Sequence, residues 1–138
     1  MMFDNSTIIS DEFSISVPNV FEDDSNDYEY NYEYKSGQGV FDSCSVSFNT
    51  PYGYSSAENL INQMSKYHSN DNPTEVEQLK LNDIVWYWFS YNDVFGTTYY
   101  YGTTKNNKVY LLEYSIQEDA TTDCINYKQQ VLDSINKK

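Results

Sequence analysis

The sequence predicts an α+β fold: an antiparallel sheet of about six to eight strands, one helix after the first hairpin and a second, C-terminal helix, stacked as three layers, α/β/α. Three observations carry this expectation. Apolar and polar residues alternate with the period of a strand, except in two stretches where apolar residues recur every three to four positions, as on a helix. Asn, Asp and Gly punctuate the second half at hairpin spacing. The central strands are apolar on both faces, which requires a cover on each side.

Taken in order, Thr7-Ile8-Ile9 and Phe13-Ser14-Ile15-Ser16-Val17 read as two strands around a turn at Asp11-Glu12, the second closed by Pro18. Residues 1–12 are expected to be a loosely held N-terminal strand of a single domain spanning 1–138. Glu22-Asp23-Asp24-Ser25-Asn26-Asp27 follows as an acidic loop without an apolar anchor. Tyr28, Tyr30, Tyr32 and Tyr34 then alternate with Glu29, Asn31, Glu33 and Lys35, the pattern of a half-buried strand. A Gly37-Gln38-Gly39 turn leads into 40–48, where Cys44, Val46 and Phe48 share one face and Ser43, Ser45 and Ser47 the other.

After Pro51 and Gly53 the period changes. Ser55-Ser56-Ala57-Glu58 forms a capping box, and Leu60, Ile61, Met64 and Tyr67 fall on one side of a helix that runs to about His68 and ends at Asn70-Asp71-Asn72-Pro73. Strands return at 76–81, 84–91, 97–103 and 109–116, separated by Asn82-Asp83, by Asn92-Asp93 with Gly96, and by Asn106-Asn107; this is an antiparallel meander. Asp119 or Thr121 caps a last helix with Cys124, Val131, Leu132 and Ile135 on one stripe, ending at Lys137-Lys138 where positive charge suits the terminus. Within 84–91, Ile84, Trp86 and Trp88 oppose Val85, Tyr87, Phe89 and Tyr91, so both faces call for burial.

A chain of 138 residues with 39% hydrophobic and 17% aromatic side chains can bury one core. Its 21 acidic residues against 8 basic ones, all lysine, give a formal charge of -13. That excludes nucleic acid and anionic lipid surfaces, which need a basic patch to displace counterions. The longest apolar run, 84–89, is far shorter than the ~20 residues that cross a bilayer, so no membrane insertion is expected. The Met1-Met2-Phe3-Asp4 start has neither a basic leader nor an apolar segment, which points to the cytoplasm; a leader removed earlier would make the protein extracytoplasmic. Cys44 and Cys124 are expected as reduced core thiols, with an isolated disulfide as the alternative.

Candidate chemistry is sparse. Asp23-x-Ser25-x-Asp27-x-Glu29 alternates oxygens like a calcium loop, but Tyr28 stands where an EF-hand needs glycine, and a solvated acidic loop is the better reading. His68 has no histidine or cysteine partner for zinc and no dyad, and reads as a surface residue near a helix end. Glu113, in an apolar strand, is expected at a sheet edge or paired with a lysine rather than as half of a glycosidase pair. Lys128, centred on the last helix's apolar stripe, should snorkel to solvent or to an acidic group. No catalytic residue, metal site or cofactor emerges, and no enzyme activity is expected.

The order strand pair, hairpin, helix, four-strand meander and C-terminal helix, opening on Phe13-Ser14-Ile15-Ser16-Val17-Pro18 and closing on Val131-Leu132-Asp133-Ser134-Ile135, resembles the PsbP-like (Mog/PsbP-type) fold family. The resemblance spans about residues 13–135 and rests on fold markers, not on site markers. It implies a small non-catalytic module that binds a protein, and most relatives are exported. The expected function is accordingly a protein-interaction module for a partner with a basic surface. Its candidate binding residues are Asp23, Asp24 and Asp27 in the acidic loop and Tyr99 and Tyr101 on one side of their strand. The alternative is a small-molecule or carbohydrate-binding domain using exposed Tyr and Trp on one sheet face. Oligomeric state is left open.

Overall fold

The computed structural model describes residues 6–9, 12–26, 29–35, 43–117 and 122–137. Strands β1 (Ser6–Ile9), β2 (Phe13–Val17), β3 (Glu22–Asp23), β4 (Tyr30–Lys35) and β5 (Ser43–Asn49) precede helix α1 (Ala57–Tyr67). Strands β6 (Glu77–Leu81), β7 (Ile84–Asp93), β8 (Gly96–Lys105) and β9 (Lys108–Gln117) form the meander, followed by helix α2 (Thr122–Asp133) and β10 (Asn136–Lys137). Seven strands make one antiparallel sheet in the order β3-β4-β5-β9-β8-β7-β6, and β1-β2-β10 make a second, small sheet. The α+β class and the antiparallel sheet are as the sequence predicts.

The hairpin turns follow from local chemistry. Asn82-Asp83 and Asn106-Asn107 all adopt positive φ, between 49° and 66°, the pair of left-handed residues that a two-residue type I′ turn requires. The third turn differs from expectation. Strand β7 runs on through Asn92-Asp93, and Val94-Phe95 make the bend, held because Asp93 Oδ1 accepts hydrogen bonds from the backbone N–H of Phe95 and of Gly96 at 2.8 and 3.1 Å.

Other boundaries shift for physical reasons. The α1 cap is Ser56, whose hydroxyl accepts from the Asn59 N–H at 3.1 Å, one residue past the Ser55 that opens the expected capping box. Glu22-Asp23, expected in a loop, pair with Glu33 and Tyr32 as a short edge strand. Helix α2 stops at Asp133 instead of reaching the terminal lysines, because Ser134 turns the chain by bonding to the Val131 and Ser16 carbonyls, and β10 then joins β2. Asp119, Thr121 and the Gly37-Gln38-Gly39 turn lie outside the described residues.

Cover on the two sheet faces is unequal. One face, carrying Tyr32, Val46, Trp86, Tyr101, Leu112 and Tyr114, is buried under α2 and β2 through Phe13, Ile15, Val131 and Leu132. On the other face α1 lies over β7, β8 and β9, with Ala57, Leu60 and Ile61 against Phe89, Tyr91, Tyr100 and Leu111. Gly102 is the seat of that helix: a Cβ there would stand 3.0 Å from Ile61 Cγ1. The double cover expected from the central strands therefore holds at β7–β9; among the described residues, α1 does not extend its packing to the outer face of β3–β5.

Cys44 and Cys124 are joined in a disulfide, overturning the expectation of reduced thiols. Burial of both, on β5 and on the first turn of α2, is what the sequence pattern conveyed; their apposition across the core was not visible in it.

Candidate functional site

The open stretch of the outer sheet face is built by strand alternation. Tyr30, Tyr32 and Tyr34 point into the core against Phe21 and Tyr127, with Tyr34 and Tyr127 ring centroids 5.2 Å apart. The intervening positions face outward by the same alternation. In register, Glu22 stands opposite Glu33, Asn31 opposite Ser47, and Glu33 opposite Ser45. Ser47 stands opposite Glu113, and Ser45 opposite Ser115. Glu29 joins them by accepting a hydrogen bond from Asn49 Nδ2 at 3.1 Å. Four carboxylates, those of Glu22, Glu29, Glu33 and Glu113, thus share one polar surface with serines and asparagines. Lys35 is the next position of the β4 register. Like charges opposite each other, as at Glu22 and Glu33, deepen the local negative potential.

The acidic loop borders this face. Asp23 and Asp24 are exposed at its edge, while Asp27 lies outside the described residues. The loop is closed by its own oxygens: Asp23 Oδ1 accepts from the Ser25 N–H at 2.9 Å, and Ser25 Oγ accepts from the Asn31 N–H at 2.9 Å. The Ser25 hydrogen bonds hold the Asp23 carboxyl below the usual carboxylate range. Among the described residues no three His, Cys, Asp or Glu are gathered to hold a metal ion.

The two candidate tyrosines fall elsewhere. Tyr101 is 2% exposed, stacked against Trp88 in the core, and presents no surface to a ligand. Burial raises its hydroxyl far above the ordinary tyrosine value. Tyr99 lines an open groove with Thr97, Ile116, Gln117 and Ile125. Its ring already carries the ammonium of Lys128, 3.8 Å from the centroid, and desolvation lowers that lysine's pKa. The alternation that paired Tyr99 with Tyr101 is correct, but their shared side is the covered one.

A cluster that the sequence reading left apart comes together at the end of α1. His68, expected at the surface, lies flat on Tyr91 with centroids 3.9 Å apart, and its Nδ1 is 3.1 Å from Asp71 Oδ2. Tyr100 donates its hydroxyl hydrogen bond to Glu113 and is also bonded to Tyr91; burial first, then the Glu113 charge, pushes its pKa far up. Glu113 also accepts from the Ser47 hydroxyl at 3.5 Å, so its partners among the described residues are hydroxyls instead of the lysine expected. Tyr54, Gln63, Met64, Tyr67, His68 and Tyr100 line a groove of about 350 Å³ beside α1. Spacing within α1 does hold a signal for it, since Gln63, Met64, Tyr67 and His68 fall at i, i+1, i+4 and i+5 on one flank. The strand residue Tyr100 has no local signal that joins it to them.

An antiparallel sheet with a helix on one face, and a helix and a small sheet on the other, defines a PsbP-like fold, and solved structures share it. A crystal structure from Bacteroides thetaiotaomicron superposes with a TM-score of 0.57 at 11% identity, over 99% of this chain and 49% of that one. The solution structure of cyanobacterial PsbP (CyanoP) from Synechocystis gives a TM-score of 0.58 at 14% identity, over 99% of this chain and 92% of that one. The chain thus spans about half the length of the Bacteroides chain and nearly all of the cyanobacterial one. What these likenesses share with the chain is the fold. No protein-family model matches the sequence, and no curated protein matches it.

Proposed function

We propose that the protein is a non-catalytic interaction module that engages a protein partner with a basic surface. Its docking surface is the open β3–β5 face with the adjoining Asp23 and Asp24 edge. The single observation that carries this reading is the outer face of β3–β5, on which α1 does not pack and which carries Glu22, Glu29 and Glu33, with Glu113 of β9 at its border. Complementary charge of this kind accelerates encounter and rejects like-charged partners more than it adds affinity, and it is screened over about 8 Å at physiological ionic strength. The alternative of aromatic rings on an exposed sheet face has little support at β3–β5, where the tyrosines point into the core.

The Cys44–Cys124 disulfide supports a place of action in an oxidising compartment, since such bonds persist outside the reducing cytosol. Among the described residues no helix is long and apolar enough to cross a membrane.

The test is affinity capture from the exported fraction of the native host at low and moderate salt, with Glu22→Lys/Glu33→Lys protein run in parallel. A basic protein retained by the wild type at low salt and lost with the double variant is the expected result. Equal retention by both proteins, or no reproducible partner, contradicts the reading.

A further inference from the structure

We infer that the groove beside α1 receives a lysine or arginine side chain of the basic partner, its cationic head lying over the tyrosine rings. This rests on the function proposed above and assigns a pocket to one residue of the partner. Three observations carry it.

The first is the lining. Tyr54, Tyr67 and Tyr100, with the His68 imidazole, the Met64 thioether and the Gln63 amide, line an open groove of about 350 Å³. Ring faces attract a cation through their quadrupole, and several rings around one pocket form the kind of cage that takes alkylammonium and guanidinium groups. Gln63 supplies an amide oxygen for an N–H donor.

The second is the placing of the rings. Tyr67 is 85% exposed on the last turn of α1, where a charged or small side chain would cost nothing in packing. Its ring stands roughly perpendicular to His68 with centroids 5.1 Å apart, and His68 is held by Tyr91 and Asp71. The His68 side of the wall is therefore set before any ligand arrives, which reduces the entropy lost on binding.

The third is charge. Among the described lining residues there is no lysine, while carboxylates stand on two sides, Asp71 bonded to His68 and Glu113 bonded to Tyr100. The groove opens next to the glutamate-bearing face through the Tyr100–Glu113 link, so a basic segment lying across that face has a side-chain pocket at its border. An anionic ligand would meet carboxylates on both sides.

The experiment titrates the full chain with tetra-arginine, tetra-lysine and tetra-glutamate peptides, and with a neutral oligosaccharide, following the aromatic proton resonances. The cationic peptides are expected to shift the Tyr54 and Tyr67 rings. Tyr67→Ala should weaken their binding roughly two- to fivefold, the range of an exposed cation–π contact, and Tyr67→Phe should restore it. Since Tyr67 is exposed, an unchanged melting temperature checks that the variant folds. Peptide binding that is lost in Glu22→Lys/Glu33→Lys but unchanged in Tyr67→Ala leaves the docking face standing and overturns the groove. A Tyr67 effect that persists in the charge-reversed protein supports the groove even if the face has no partner. Ring shifts produced by the oligosaccharide or by tetra-glutamate, and not by the cationic peptides, overturn the inference.

Discussion

Gly96 shows how much a single position can demand. Its φ is 143°, and a Cβ built there would stand 2.0 Å from the Ile116 carbonyl oxygen, a backbone atom that cannot swing aside. Glycine is required both by the dihedral and by the space. Gly96→Ala is expected to cost about 2–3 kcal/mol, read from urea denaturation midpoints at constant slope. Tyr101 and His68 make the complementary point about reading single residues. Alternation places Tyr101 beside Tyr99, but which side of a strand is covered depends on where α2 and β2 lie, more than twenty residues away in sequence. His68 looks solitary in the chain because Tyr91, its stacking partner, sits on another element.

At the scale of elements, the disulfide ties the first turn of α2 to β5 across 80 residues. Cross-linking so long a loop removes much of the entropy of the unfolded chain, so Cys44→Ser/Cys124→Ser protein is expected to lose about 2–5 kcal/mol of stability, with the wild type falling to the same level when a reductant is added before denaturation. Most elements were legible in the sequence. Helix α1, the meander and its Asn-Asp and Asn-Asn turns each carry their own signal in periodicity or left-handed propensity. What was not legible depends on contacts between elements: the two-residue pairing that makes β3 a strand, the return of β10 to β2, and the reach of α1 across the sheet. The candidate site divides in the same way. The outward Glu29 and Glu33 are plain from alternation, whereas their union with Glu113 needs the β5–β9 register, and the groove needs α1 seated on Gly102.

For the whole molecule, the abundance of tyrosine has a thermodynamic result. Of 15 tyrosines, Tyr32, Tyr100, Tyr101, Tyr114 and Tyr127 have hydroxyl pKa values raised above the ordinary tyrosine value, in each case chiefly by burial. A tyrosine whose folded pKa exceeds its unfolded pKa contributes stability that is fully present below about pH 10 and is lost as pH rises beyond it, because the unfolded chain then ionises more readily than the folded one. Stability is therefore expected to fall steeply above about pH 10. In a spectrophotometric titration, one group of tyrosines should ionise in the folded protein and a second only together with loss of tertiary structure. A single smooth titration of all tyrosines, completed before any unfolding, would contradict the burial described.

The small sheet has a bearing on how the chain reaches this state. Strand β2 lies between β1 and β10, and Ser16 and Ser134 exchange hydrogen bonds across 118 positions. The edge of β2 at Phe13 and Ser14 is paired by residues 136–137, so the layer that covers the main core joins the two ends of the chain. Contacts of such high sequence separation raise contact order and slow folding. Ser134 and the short β10 thus act as a latch that ties the last residues of the chain to the strand that covers its aromatic core.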